Sequence, residues 1–416
     1  KVVFARYNLQ AYTFHEFAKE RMHREASVLD FETEQNLLGL HTGIRKYETD
    51  KEASLQHLRF LAESYENAMD VIGPDIILSW NGFVLVQSLP VELAKQRNRP
   101  YYLMERGLLP GTLAIDPIGV NYGSHIGGAK WQKKDFTKPT FDQAQKLEEY
   151  KQDICSSGRS IVNKGRECSP SEVYSQLQIP EGSKVLLLPL QIERDSNIVY
   201  YSPYYKSMLN IIEDVQKSLE SLENVYTVIK PHPEDKDRRH ELEQSVGSRA
   251  RLCWDLTLSS VLEISNAVIV VNSTVGFEAL LRKKPVIVLG KAIYGEKGFT
   301  YDLTDPSLLP QLLENALGPD AGRQLDWEEF DRFLFYLASY CLFPIDRLDY
   351  WGAKENIAFQ FKECLGKARL ESPRDDWARF NNVQERMNIF LQILSPGSEQ
   401  LTILLLGKPS SYPESF

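Results

Sequence analysis

The stretch Tyr226–Gly298 decides the fold, because it contains two successive strand–loop–helix units whose loops are polar. The first unit opens with YTVIKPHPED (Tyr226–Asp235), in which a β-branched run ends at two prolines. Proline lacks a backbone donor and fixes φ, so the strand stops there and leaves Lys230 and His232 at its carboxyl end. The second unit, AVIVVNSTVGFEALLRKKPVIVLG (Ala267–Gly290), has an apolar strand, a small polar turn, an apolar-periodic helix and another apolar strand. All-apolar strands are typical of parallel sheets buried on both faces.

The polar loops of these two units predict a phosphate site. In open α/β sheets a ligand binds beyond the carboxyl ends of the strands, where a helix N-terminus offers free N–H groups to an anion. Ser273 and Thr274 lie at such a helix start, and Lys230 and His232 lie on a nearby loop. Glu278 is expected in the first helical turn, where it either complements the helix dipole or reaches ribose hydroxyls. The alternative is a proline turn and a capped helix without a ligand.

A β-α-β unit precedes this region. It consists of the buried strand Pro74–Trp80, a helix over Val84–Gln96 and the strand Tyr101–Met104. Glu105 follows directly and is expected at a crevice mouth, with a salt bridge to a basic neighbour as the alternative.

Two further segments contain candidate acids. Pro110–Gly128 is rich in Gly and Pro and contains Asp116, and a long irregular loop in a compact domain is often functional. The buried strand Lys184–Leu190 opens into Gln191–Asn197, which crowds acidic and amide groups at the strand exit. Asp195 is the most informative of these residues, either as a functional acid, as a helix N-cap or as the partner of Arg194 in a salt bridge.

The segment after the second unit is a loop followed by helices. In the loop Lys291–Thr300, Tyr294 and Lys297 are expected to touch a base or a sugar. Helical patterns follow over Leu308–Leu317, Trp327–Leu342, Ala353–Leu370 and Ala378–Leu394.

Composition bounds the class of protein. The 416 residues, 43% hydrophobic and 25% charged, predict about two globular domains. A net charge of −9 argues against a general nucleic-acid binder, which needs a basic surface. The five cysteines lack metal-ligand spacing, and their odd number in a chain this long suggests reduced thiols in the cytoplasm. No apolar run reaches the length of a membrane span. We therefore expect a cytoplasmic protein, either free or peripheral on the inner membrane. The sequence starts without Met and ends in a polar segment, and from these features we expect one module of a longer polypeptide.

These motifs resemble the bacterial capsule polysaccharide biosynthesis family, the β-Kdo glycosyltransferases that use CMP-Kdo. The matching pieces are MERGLLP (Met104–Pro110), LAIDPIGVNYG (Leu113–Gly123), LLLPLQIERDSN (Leu186–Asn197), IKPHP (Ile229–Pro233) and NSTVGFEALLRKKPVIVLG (Asn272–Gly290).

The resemblance implies an α/β fold of the GT-B type, with two Rossmann-like domains facing across a cleft and C-terminal helices bracing both. The expected domains are an acceptor-side domain over 1–165, a nucleotide-binding domain over 172–318 and a helical segment over 319–416. The expected activity is retaining transfer of Kdo from CMP-Kdo to a bacterial surface glycan, either capsule or lipopolysaccharide O-antigen. No cofactor or metal is expected, because phosphate charge can be met by the lysine and the helix start.

The resemblance also implies residue roles. Asp195 would be the nucleophile that forms a covalent adduct, and His232 would assist the leaving phosphate. Glu105, with Asp116 in reserve, would deprotonate the acceptor. The expected nucleotide-binding residues are Lys230, His232, Ser273, Thr274, Gly276 and Glu278, and the expected substrate-binding residues are Gln191, Ser196 and Asn197.

Two other functions stay open. One is another GT-B transferase, acting on CMP-sialic acid or a UDP-sugar. The other is a non-catalytic module of a capsule assembly complex that binds a glycan or a nucleotide sugar. A binding module has no need for acids at strand mouths beside the nucleotide site.

Overall fold

The structure is a computed structural model that describes residues 29–30, 32–37, 51–74, 76–110, 112–131, 139–156, 165–344 and 403–406. The strands are β1 Ile76–Trp80, β2 Tyr101–Arg106, β3 Thr112–Asp116, β4 Lys184–Pro189, β5 Val225–Lys230, β6 Ala250–Leu252, β7 Ala267–Val270, β8 Val286–Val288, β9 Tyr301–Asp302, β10 Leu342–Pro344 and β11 Ile403–Leu406. The helices are α1 Lys51–Ile72, α2 Leu85–Gln96, α3 Phe141–Ser156, α4 Pro170–Gln176, α5 Ser196–Tyr201, α6 Met208–Ser218, α7 Arg239–Ser245, α8 Leu258–Ile264, α9 Thr274–Leu281, α10 Leu309–Leu317 and α11 Trp327–Tyr336.

The chain divides into two compact units. Unit 1 consists of Lys1–Val120 and Tyr340–Phe416, and unit 2 consists of Asn121–Ser339. The predicted α/β class is confirmed, because each unit has a sheet with parallel strands and helices between them.

The sheet of unit 1 is mixed, with the strand order β10-β3-β2-β1-β11. β1 runs parallel to β2 and β11, whereas β3 runs antiparallel to β2 and β10. The segment Pro110–Gly128, predicted to be irregular, therefore contains a strand. Its apolar residues allow it to extend the sheet beside β2. The local sequence pattern did not predict this pairing.

The sheet of unit 2 has six parallel strands in the order β6-β5-β4-β7-β8-β9. The strand order reverses direction between β4 and β7, which is the topological switch point where α/β sheets bind ligands. All four residues of β7 are buried, as its apolar sequence predicts. Unit 2 contains both of the strand–loop–helix segments on which the sequence analysis is based.

The unit boundaries differ from those predicted at 165 and 318. Residues 121–131 and α3 belong to unit 2, where Lys151 of α3 forms an ion pair of 2.6 Å with Asp331 of α11. The linker-like composition near residue 165 therefore does not mark the division. Helix α11 ends at Tyr336, passes through a π-helical turn (Leu337–Cys341) and leads into β10, where a helix to Leu342 was predicted.

The helices predicted over Ala353–Leu370 and Ala378–Leu394 lie outside the described residues, as does any bracing role for them. Among the helices that the structure describes, none combines the length and the apolar character that a bilayer span requires.

Candidate functional site

The candidate site lies at the carboxyl edge of the unit 2 sheet. Because its strands are parallel, the loops that follow β4, β5, β7 and β8 all emerge at this edge. The loops contact one another directly: Leu190 N donates to Lys230 O at 2.9 Å, and Lys291 N donates to Tyr201 O at 2.7 Å. The sequence predicted this convergence of polar loops, and the sheet topology produces it.

A reciprocal amide pair joins the loops after β4 and β7. The Gln191 amide nitrogen donates to Asn272 Oδ1 at 3.0 Å, and the Gln191 amide oxygen accepts the Asn272 backbone N–H at 3.1 Å. Asn272 Nδ2 in turn donates to Asn197 O at 2.9 Å. Gln191, predicted to bind substrate, therefore uses both ends of its amide to hold two loops together, and Asn272 is a site residue that the sequence analysis did not assign.

Asp195 caps helix α5. Its Oδ1 accepts the backbone N–H of Asn197 at 2.7 Å, and the side chain is exposed. Asp195 is thus a helix N-cap, which was one of the alternatives left open. The cap occupies one carboxylate oxygen and leaves Oδ2 for other chemistry. The other part of that alternative is wrong, because Arg194 forms its ion pair with Glu234, at 3.1 Å. Ser196 and Asn197, predicted to bind substrate, are the half-buried first residues of α5.

His232 lies in the loop after β5 with its ring orientation set by local hydrogen bonds. Its backbone N–H donates to Asp235 Oδ2 at 3.0 Å, and its Nδ1 accepts the backbone N–H of Glu234 at 3.2 Å. With Nδ1 acting as an acceptor, the neutral ring carries its proton on Nε2. Burial lowers the pKa of His232, while the charges of Glu234, Asp235 and Asp195 oppose that effect. Asp195 and His232 lie in the loops that follow the neighbouring strands β4 and β5.

Lys230 is half-buried at the end of β5, and its Nζ donates to Leu256 O at 2.7 Å. Burial lowers the pKa of this ammonium. Leu256 follows β6, on one side of β5, whereas Ser273 and Thr274 follow β7, on the far side of β4. Lys230 and the start of α9, which were predicted to bind one phosphate together, therefore follow strands that are two positions apart in the sheet.

Helix α9 begins at Thr274 and is capped by Ser273, whose Oγ accepts the Val275 N–H at 3.2 Å. Gly276 is required for packing, since a Cβ there would come within 2.2 Å of the Tyr294 hydroxyl oxygen. That hydroxyl donates to Ser273 O. Tyr294 is fully buried, so the prediction that it touches a base or a sugar is wrong, and it supports the Ser273 turn instead.

Glu278 lies in the second turn of α9, because the helix starts earlier than predicted. Its side chain is 3% exposed, so the carboxylate is enclosed by protein and is not available to a ribose at an open surface. It lies near Cys155, whose pKa is raised by burial and further by the Glu278 charge.

The remaining candidate acids, Glu105 and Asp116, lie in unit 1. Glu105 is half-buried in β2, and its Oε1 accepts the Arg106 N–H at 2.8 Å. Asp116 is buried at the end of β3, where Oδ1 accepts the N–H groups of Ile118 at 2.7 Å and Gly119 at 3.1 Å in an Asx turn. Because β3 is antiparallel to β2, Asp116 pairs with Leu103 and lies away from the carboxyl end of β2. Asp116, predicted to lie inside an irregular loop, is therefore the last residue of a strand.

Comparison with known proteins gives a consistent result. Residues 134–309 match the family model described as capsule polysaccharide biosynthesis protein. This match confirms, over that region, the resemblance of the motifs to the capsule polysaccharide biosynthesis family.

The curated relatives are distant, and each matches only part of this chain. Protein FixF of Sinorhizobium fredii is 26% identical over 53% of this chain and 49% of its own length. The capsule polysaccharide export protein KpsS of Escherichia coli is 34% identical over 31% of this chain and 36% of its own length. The chain thus spans about half or less of these relatives. Among solved structures, Thermosulfurimonas dismutans KpsC, a β-Kdo 2,7 transferase, has a TM-score of 0.45 and 19% identity, covering 72% of this chain and 89% of that one.

Proposed function

We propose that this chain is a glycosyltransferase that moves Kdo from CMP-Kdo to a capsule or lipopolysaccharide glycan with retention. The observation that carries the proposal is that Asp195 and His232 lie in the loops after the neighbouring strands β4 and β5, at the carboxyl edge of unit 2. A carboxylate and a neutral imidazole at one sheet edge are the groups that a double-displacement transfer needs. The match of residues 134–309 to the capsule polysaccharide biosynthesis model supports the glycan context. The choice of CMP-Kdo rests on the motif resemblance.

In the first step, Asp195 Oδ2 attacks the anomeric carbon of Kdo, and the bond from that carbon to the phosphate oxygen breaks. The electron pair leaves with CMP, and negative charge grows on the phosphate. His232 Nε2–H is the donor for that charge, and its Nδ1 contact to Glu234 holds the proton in place. The Asn197 N–H at Oδ1 keeps Asp195 oriented without occupying the attacking oxygen.

In the second step, the acceptor hydroxyl attacks the same carbon, and the bond to Asp195 breaks. Two inversions give net retention. The acceptor proton passes to a base, for which Glu105 is our candidate and Asp116 the reserve. Lys230, Ser273 and Thr274 are assigned to the CMP phosphate.

The test is intact-protein mass spectrometry of the chain incubated with CMP-Kdo in the absence of acceptor. We expect a Kdo-sized mass increase that is absent in Asp195→Asn, a variant that preserves the helix cap because asparagine is also a good N-cap. His232→Asn should slow adduct formation by roughly 10²-fold, the usual effect of losing one such donor. His240→Asn, on the exposed helix α7, is the matched control and should leave the rate unchanged.

A fully active Asp195→Ala variant would refute the mechanism. Calorimetry with CMP and UMP tests the donor separately: unchanged CMP affinity after Lys230→Ala and Ser273→Ala together would refute the nucleotide site. Preference for UMP would identify a UDP-sugar enzyme instead. CMP binding without adduct or transfer would identify a binding module.

A further inference from the structure

The Glu296 carboxylate is one of the groups that hold the loop formed by residues 121–131 against the loop after β8. Glu296 has a φ of +60°, in the left-handed region that non-glycine residues seldom occupy. In this conformation its Oε2 accepts the Tyr122 hydroxyl at 3.1 Å and the Ala129 N–H at 3.3 Å. Its Oε1 forms an ion pair with Lys291. Three donors from two separate segments therefore meet on Glu296.

Tyr122 transmits this contact to helix α5. Its ring packs against that of Tyr201, with ring centroids 5.7 Å apart and an interplanar angle of 57°. The next residue, Gly123, leaves room for the Tyr201 hydroxyl, since a Cβ at Gly123 would come within 2.6 Å of that oxygen. Burial raises the pKa of Tyr122, and the Glu296 carboxylate raises it further, so the Tyr122 hydroxyl stays a donor to Glu296.

Tyr201 is the last residue of α5, and Asp195 is the N-cap of the same helix. Six residues rise by only about 9 Å, and so short a helix is not stable by itself. Its position therefore depends on its contacts with the rest of unit 2, which include the buried Ile198 side chain and the contacts at its two ends. At the Tyr201 end, the carbonyl accepts the Lys291 N–H at 2.7 Å, and the side chain rests on Tyr122 and Gly123.

We propose that Glu296 and Tyr122 are positioning residues that fix the Tyr201 end of α5 and thereby the place of Asp195 at the other end. The catalytic consequence rests on the proposed function, whereas the mechanical coupling does not. A nucleophile displaced by about 1 Å can lose as much as 10²-fold in rate. Partial loosening of α5 should therefore lower kcat by roughly tenfold and leave CMP affinity unchanged.

The test compares variants that differ by single polar groups. Tyr122→Phe keeps the ring and removes the hydroxyl, Glu296→Ala removes the acceptor, and Glu296→Gln keeps an acceptor oxygen for Tyr122. Tyr226→Phe is the matched control, because Tyr226 is a half-buried tyrosine near the start of β5, remote from the carboxyl edge. Native-state hydrogen exchange of the α5 amides is measured without any donor sugar. kcat, KM and CMP affinity are measured alongside.

We expect α5 exchange to be roughly fivefold or more faster in Tyr122→Phe and Glu296→Ala, close to wild type in Glu296→Gln, and unchanged in Tyr226→Phe. kcat should fall in the same order with constant KM. Wild-type exchange in both Tyr122→Phe and Glu296→Ala would overturn the coupling. Faster exchange with unchanged kcat would overturn its catalytic role. If the wild type does not use CMP-Kdo, the proposed function fails, and exchange alone still decides the coupling.

Discussion

At the scale of single residues, Lys297 shows how backbone carbonyls can hold a buried amine. Its side chain is 9% exposed, and its Nζ donates to Ile126 O at 2.9 Å and Gly128 O at 2.6 Å. The ammonium also lies 5.1 Å from the centre of the Phe333 ring. Burial lowers its pKa to about 7, against the raising effect of nearby carboxylates led by Asp302. The prediction that Lys297 touches a ligand is therefore wrong, and it secures the 121–131 loop.

This low pKa predicts a pH dependence of stability. Between pH 7 and about 10.5 the unfolded chain holds a proton on Lys297 that the native state has lost, so stability from this group rises with pH in that window. From pH 7 to 9 the gain is about 2 kcal/mol. Urea unfolding should show this gain in the wild type and its loss in Lys297→Met. Lys236→Met, at an exposed position, is the control and should keep the gain. An equal pH response in Lys297→Met and the wild type would contradict the assignment.

At the scale of secondary-structure elements, helix α9 depends on a close approach between its first turn and Tyr294. The apolar period of the sequence suggested a helix from Phe277, but the helix begins at Thr274 because the Ser273 side chain satisfies an N-terminal N–H group. Gly276 then lies in the first turn, directly beneath the Tyr294 hydroxyl. The same hydroxyl supports the Ser273 carbonyl, so the cap and the tyrosine are one structural unit.

Gly276→Ala should destabilise unit 2 by about 1–3 kcal/mol, the usual range for overpacking a close-packed site. The added methyl would meet the Tyr294 oxygen at 2.2 Å and Val270 Cγ2 at 3.0 Å, and neither neighbour has free space. Urea unfolding measures the effect. Adding Tyr294→Phe, which removes the clashing oxygen, should recover part of the loss. If Gly276→Ala is as stable as the wild type, the packing described for this turn is incorrect.

At the scale of the whole molecule, unit 2 is one continuous segment, whereas unit 1 is assembled from both ends of the chain. The outer strands β10 and β11 of unit 1 come from the C-terminal part. Unit 2 has its own six-stranded sheet and core. Its aromatic contacts extend to α11, since Phe330 packs against Phe277 and Phe299 at centroid distances of 5.8 Å and 5.3 Å.

A fragment of residues 121–339 should therefore fold cooperatively and bind CMP as the full chain does. The fragment 172–318, which follows the boundaries predicted from sequence, lacks α3 and α11 and leaves the Phe277 and Phe299 rings exposed. We expect it to unfold at lower urea concentration or to aggregate. Circular dichroism and CMP calorimetry on both fragments decide the matter. Equal stability of the two fragments would show that α3 and α11 are dispensable to this core.

The sequence alone was sufficient for strands β4, β5, β7 and β8 of unit 2 and for the edge at which they present polar groups. A strand ended by prolines, an all-apolar strand and a serine before a helix are local features, because each depends on residues within a few positions of one another. Lys230, His232, Asp195 and Ser273 accordingly occur at the strand ends where the pattern predicted them.

Tertiary structure alone decided how those groups are used. Gln191 pairs with Asn272 across 81 positions, and Tyr122 reaches Glu296 across 174. Such partners are set by strand order and by which loops meet at a sheet edge, and no local period encodes either. The same reason explains why Tyr294, Lys297 and Glu278 looked accessible: burial depends on elements packed from elsewhere in the chain, and here those elements enclose all three side chains.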